Sequence, residues 1–130
     1  MFIKLYLIAL PILLAIDALW LGIISKSFYQ QQISFLMKSN INWIAAGLLY
    51  VVLTLGLVIF VIMPAVENNT WVHALAFGLL FGVISYAVYD LTNLATIRDW
   101  PLLVTIVDMM WGGVLSALVS VATYSVIKIF

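Results

Sequence analysis

The chain has no cysteine and little charge: five basic and five acidic side chains among 130 residues, for a formal net charge of zero. Without cysteine there are no disulfides, thiolate metal sites or cysteine nucleophiles. Without a run of lysines or arginines there is no electrostatic footprint for nucleic acid, and no nucleic-acid partner is expected. Charged residues make up 8% of the chain, against about 25% in soluble domains, which argues against a water-soluble fold. Phosphate-binding loops, nucleophile–base pairs and redox motifs are also missing, so hydrolase, kinase and dehydrogenase chemistries have no support.

Hydrophobic residues make up 67% of the sequence. A bilayer core about 30 Å thick needs about 20 apolar residues per helix, so this length has room for four spans and no second domain. The expected fold is an all-α integral membrane four-helix up-down bundle, one transmembrane domain with spans near residues 5–25, 43–62, 71–95 and 102–127. The first run is too long for a signal-peptide core and carries Asp17 near its middle, so it reads as a retained span with a bend near Pro11. Residues 26–40, with three glutamines among aromatic and aliphatic residues, read as an interfacial segment. Asn40 or Asn42 is expected to cap the second span, Pro64 to end it, Thr70 to cap the third and Asp99 to cap the fourth. Trp43, Trp71 and Trp100 are expected as interfacial anchors, and His73 as an interfacial side chain. Gly78 and Gly82, and Gly112, Ser116 and Ser120, recur at four-residue spacing and suit close helix packing. Lys26, Lys38 and Arg98 against Lys4 and Lys128 favour cytoplasmic first and third loops.

Three acids fall inside these apolar runs: Asp17, Asp90 and Asp108. A charged aspartate at mid-helix costs about 2.5–3.5 kcal/mol on insertion scales, so three demand a reason. Threading the chain up and down at 1.5 Å per residue puts all three about 8–12 Å from the membrane surface that bears the first and third loops. One pocket is expected to gather Asp17, Trp20, Tyr86, Asp90, Thr92, Asn93, Thr96, Asp108 and Trp111, with Tyr29, Asn42 and Trp100 near its mouth. Tyr86, Asp90 and Asn93 share a helical face, and Trp20 and Trp111 each follow an acid by three residues, so an indole N–H is placed to reach an acid on a facing helix. The repeated pattern Asp17-Trp20-Gly22 and Asp108-Trp111-Gly113 reads as local reuse of an acid–indole pair, because both copies fall at the same membrane depth. Oxygen-only ligands at Asp17, Asp90, Asn93 and Asp108 would suit a hard divalent cation. The competing reading is three protonated acids acting as interhelical hydrogen-bond glue.

The stretch Tyr89-Asp90-Leu91-Thr92-Asn93-Leu94-Ala95-Thr96-Ile97-Arg98-Asp99-Trp100-Pro101, with Asp108-Met109-Met110-Trp111-Gly112, Asp17-Ala18-Leu19-Trp20-Leu21-Gly22 and Phe28-Tyr29, resembles a family of four-span bacterial membrane proteins known as a domain of unknown function. The resemblance covers nearly the whole chain. It implies a multi-pass protein of the bacterial inner membrane and supplies no activity, substrate or catalytic residue.

Three functions follow from the residues. The first is binding or transport of a cation, proton or small polar ligand, with a homodimer expected from the small size. The second is an intramembrane enzyme acting on a lipid or isoprenoid through one protonated and one ionised carboxyl. The third is an accessory subunit of a larger membrane partner. Membrane lipid is a partner in all three.

Overall fold

The computed structural model describes all 130 residues, and every regular element is helical. Four helices are long and apolar enough to cross a membrane: Phe2–Ile24, Trp43–Glu67, Trp71–Thr96 and Leu102–Ile129. They are called the first to fourth spans below. A short helix, Lys26–Ile33, and a single 3₁₀ turn, Ser34–Leu36, connect the first two.

The distribution of side chains is that of a membrane protein. Large apolar residues such as Leu7, Ile44, Phe60, Val88 and Met110 lie exposed on the outside, while Asp17, Thr54, Asp90, Thr105, Asp108, Ser116, Ser120 and Thr123 are buried. Only acyl chains would leave such an outer surface solvated, and only a helix satisfies its own backbone there.

Helix ends follow local chemistry, with corrections to the expected caps. Asn42 caps the second span, its Oδ1 accepting from the Ala45 N–H at 3.1 Å. Thr70 holds the extended backbone of a cap, but its hydroxyl makes no capping bond. Asp99 does not cap the fourth span. It occupies a left-handed turn with φ of 62°, a conformation that Asp and Asn tolerate better than most residues, and Pro101 takes the capping position. Asn69, with φ of 54°, makes the equivalent turn between the second and third spans.

Neither proline inside a span stops its helix. The first span runs through Pro11. The second continues past Pro64 to Glu67 because the turn before it widens into a π-helix, Val58–Ile62, closed by the Met63 N–H on the Val58 carbonyl. A widened turn absorbs the missing donor and the bulk of the ring. The first span ends in a second π turn, Trp20–Ile24, where the Ser25 N–H and Oγ both donate to the Trp20 carbonyl, at 2.8 and 2.7 Å.

Packing is uneven along the bundle. The third and fourth spans lie against each other over most of their length, and the small-residue spacing is the cause: a Cβ on Gly82 would stand 1.9 Å from the Gly112 carbonyl oxygen, and one on Gly78 would stand 2.9 Å from Ser120 Oγ. The second span meets these two chiefly through its Val58–Ile62 turn, while its earlier part, Trp43–Leu57, packs on the first span. Leu5, Ala9, Leu13, Leu57, Val61, Ile62, Leu115 and Val119 form an apolar core in the half nearer the chain termini. Towards the first and third loops the bundle splays, and a cavity opens there.

Candidate functional site

The cavity has a volume of about 550 Å³ and is lined by the first, second, third and fourth spans and by the connecting helix. Asp17 and Asp108 supply its carboxyls, and Trp20, Trp100, Trp111, Tyr29, Tyr50, Tyr86 and Tyr89 give its wall a strongly aromatic character. On the connecting helix Lys26, Tyr29, Gln30 and Ile33 all line the cavity. Their spacing of i, i+3, i+4 and i+7 is one helical face, so this helix roofs the pocket.

A chain of hydrogen bonds joins four of these elements: the first, second and fourth spans and the connecting helix. Asp17 is 4% exposed. Its Oδ1 accepts from the Trp111 Nε1–H at 3.0 Å and its Oδ2 from the Tyr50 hydroxyl at 2.5 Å. Asp108 accepts from the Tyr29 hydroxyl, which itself accepts from the Trp20 Nε1–H at 3.3 Å. The Trp20 and Trp111 rings stack at 4.3 Å with an 8° angle between planes. The repeated acid–indole pattern therefore works crosswise: each indole serves the acid of the other helix, directly for Asp17 and through Tyr29 for Asp108. Tyr29 lies on the connecting helix, outside the spans; burial first, and then its bond to Asp108, push its hydroxyl pKa well above the ordinary tyrosine value.

Asp90 is fully buried, and neither of its carboxyl oxygens receives a hydrogen bond from a protein donor. It lies behind the cavity wall, against the carboxyl of Asp108. An ionised carboxyl without partners is costly in such a place. Trp100 covers this pair from the loop side. It is 8% exposed, donates from Nε1 to Thr105 Oγ1 at 3.1 Å and packs edge-on against Tyr89, so it belongs to the pocket and is not an interfacial anchor. Trp43 and Trp71 are exposed at span ends, 73% and 53%.

The structure brings Asp17, Trp20, Tyr86, Asp108 and Trp111 to the cavity, with Tyr29 and Trp100 at its mouth. Thr92, Asn93 and Thr96 are not among its lining residues. Thr92 and Thr96 are exposed and return their hydroxyls to the carbonyls of Val88 and Thr92, at 2.5 and 2.7 Å. That back-bonding satisfies a hydroxyl within its own helix and needs no pocket. The hard-cation site expected at Asp17, Asp90, Asn93 and Asp108 is not assembled: no three acidic or histidine side chains are grouped as ligands for one ion. Both Asp17 oxygens are already engaged by donors, and Asn93 stays outside.

Of the lining residues not anticipated from sequence, two bear on the charge of the site. Tyr50 is one, and its signal was available: with Thr54 one turn on, it is one of two polar side chains inside an otherwise apolar second span. Lys26 is the other. It reads as an ordinary flanking lysine until the connecting helix folds back over the cavity.

Outer surface, helix lengths and buried polar pocket together define a multi-pass α-helical membrane protein. Within that class the chain belongs to the family described as predicted membrane protein (DUF2177), whose model matches residues 2–125. No curated protein and no solved structure gives a significant match.

Proposed function

We propose that this protein binds an organic cation, an amine or quaternary ammonium, in the pocket at the end of the bundle that carries the first and third loops. The observation that carries the reading is the pair Asp17 and Asp108 in an aromatic cavity of about 550 Å³. Their donors are two tyrosine hydroxyls and an indole N–H, all neutral. Such donors hold a carboxylate in place without cancelling its charge, so the site keeps an attraction for a positive ligand. Indole and phenol faces add cation–π attraction, worth about 2 kcal/mol where water is excluded. The volume falls in the range of about 300–1,000 Å³ typical of small-molecule pockets and is far larger than one metal ion needs.

The apolar core beneath the cavity favours binding and release on one side over passage across the membrane. By family resemblance the setting is a bacterial inner membrane, and the small size of the chain favours a second copy or a larger membrane protein as partner.

The test titrates purified protein in neutral detergent with dodecyltrimethylammonium and with an uncharged dodecyl ether, following indole emission. Saturable binding of the cation alone is expected. Asp17→Asn and Asp108→Asn should weaken it by about tenfold or more, the usual effect of removing a charged partner, while Asp99→Asn should not. Equal binding of the charged and uncharged compounds would contradict the proposal.

A second reading, acid–base chemistry on a lipid or isoprenoid, is favoured by the adjoining carboxyls of Asp90 and Asp108. One proton held between two carboxyls supplies a donor and a base at one site. Deletion of the gene would then change the membrane lipid profile, and an Asp90→Asn copy would fail to restore it. An unchanged profile would rule this reading out.

A further inference from the structure

We infer that the ligand is a zwitterion carrying a phosphate beside its ammonium, and that it comes from the bilayer as a phospholipid headgroup, with Lys26 taking the phosphate. This rests on the ammonium-binding reading above and adds a second recognition element to it.

Lys26 lines the same cavity as Asp17 and Asp108, yet the hydrogen bonds to those carboxyls come from Tyr50, Trp111 and Tyr29. Its ammonium is thus left for a ligand. A bare cation would be repelled by a lysine at the pocket mouth, so a purely cationic ligand leaves this residue unexplained. A ligand with an anionic group next to its ammonium turns the same lysine into a partner. Spacing agrees: Lys26 precedes Tyr29 by three residues on one helical face, about 5–6 Å apart at Cβ, and the Tyr29 hydroxyl is bonded to Asp108. The pocket therefore offers a positive group and negative groups on the walls of one cavity. Lysine is a common point-charge partner for phosphate.

The rim points to the source. Leu21, Met37, Ile41 and Leu49 border the cavity and are between 47% and 59% exposed on the apolar outer surface. Acyl chains attached to a bound headgroup could leave the pocket across this rim without crossing a polar wall. A free phosphoamine has the headgroup but no use for that rim.

The experiment uses the full chain in neutral detergent and measures four probes by indole emission: dihexanoyl phosphatidylethanolamine, dihexanoyl phosphatidylglycerol, free phosphoethanolamine and dodecyltrimethylammonium. The ethanolamine lipid should bind at least about tenfold more tightly than the glycerol lipid and free phosphoethanolamine. Lys26→Ala should weaken the ethanolamine lipid while strengthening dodecyltrimethylammonium, because loss of a positive charge at the mouth favours a bare cation. Lys26→Arg should preserve lipid binding. Lys26 is solvent-exposed, and unchanged far-ultraviolet circular dichroism of Lys26→Ala checks its fold. Unchanged lipid affinity in Lys26→Ala, or both ligands shifting in the same direction, overturns the phosphate assignment and leaves ammonium binding standing. Equal affinity for phosphoethanolamine and the ethanolamine lipid overturns the bilayer as the source. Failure of the wild-type chain to bind dodecyltrimethylammonium overturns the ammonium reading itself.

Discussion

Asp17 and Asp108 sit in helices that lipid surrounds, and the donors around them differ in origin. Asp17 is held by two neighbouring spans through Trp111 and Tyr50. Asp108 depends on Tyr29, a residue of the connecting helix, so the state of one hydroxyl ties the roof of the pocket to its wall. Burial, and then the bond to Asp108, raise the Tyr29 hydroxyl above its ordinary value of 10.0. The folded chain holds that proton more tightly than the unfolded chain does. Its contribution to stability is therefore intact below pH 10 and is lost as the pH climbs beyond it. Thermal melts between about pH 9 and about pH 11 should show the wild type losing stability more steeply than Tyr29→Phe. Parallel curves for the two proteins would mean that the bond to Asp108 does not couple folding to this proton.

The third and fourth spans form the rigid half of the molecule, and their contact depends on the absence of a methyl group. An alanine at Gly82 would place its Cβ 1.9 Å from the Gly112 carbonyl oxygen, a backbone atom that cannot step aside, whereas Gly22 and Gly47 face open space. Gly82→Ala should destabilise the bundle by at least the 1–3 kcal/mol or so typical of overpacking. Gly22→Ala and Gly47→Ala should leave the melting temperature in detergent close to wild type. This contact was legible in the sequence as glycine and serine at four-residue spacing, as were four helices of membrane-spanning length. The π turns were not legible, because Pro64 read alone signals a stop, and only the tertiary context shows the helix widening to continue past it. Nor was the outward turn of Thr92 and Thr96: a threonine in a helix has a carbonyl of its own to bond, so polar spacing alone does not place it in a pocket. Trp100 looked like an interfacial anchor because it precedes a helix, but the left-handed turn at Asp99 folds it inward.

The molecule as a whole is a bundle closed at one end and splayed at the other, and the splayed end is where its polar chemistry lies. Lys128 and Tyr124, at the end of the chain, both bond Asn69 in the middle turn, which puts the C-terminus and that turn on the same side. Because the natural chain has no cysteine, topology can be read from single introduced thiols. Ser27→Cys and Arg98→Cys should react with an impermeant maleimide from one side of the membrane, and Asn68→Cys from the other. Labelling of all three from a single side would break the up-down arrangement and with it the shared depth of the acids. Whether Asp17 and Asp108 receive an organic cation is decided by infrared difference spectroscopy of the carboxyl bands in the purified protein. Dodecyltrimethylammonium and Mg²⁺ would be added separately to wild type and to the Asp17→Asn, Asp90→Asn and Asp108→Asn variants. The ammonium compound should shift carboxylate bands that disappear in the Asp17 and Asp108 variants, and Mg²⁺ should leave them unmoved. Bands that respond to Mg²⁺ alone, or to neither addition, would contradict binding of the organic cation.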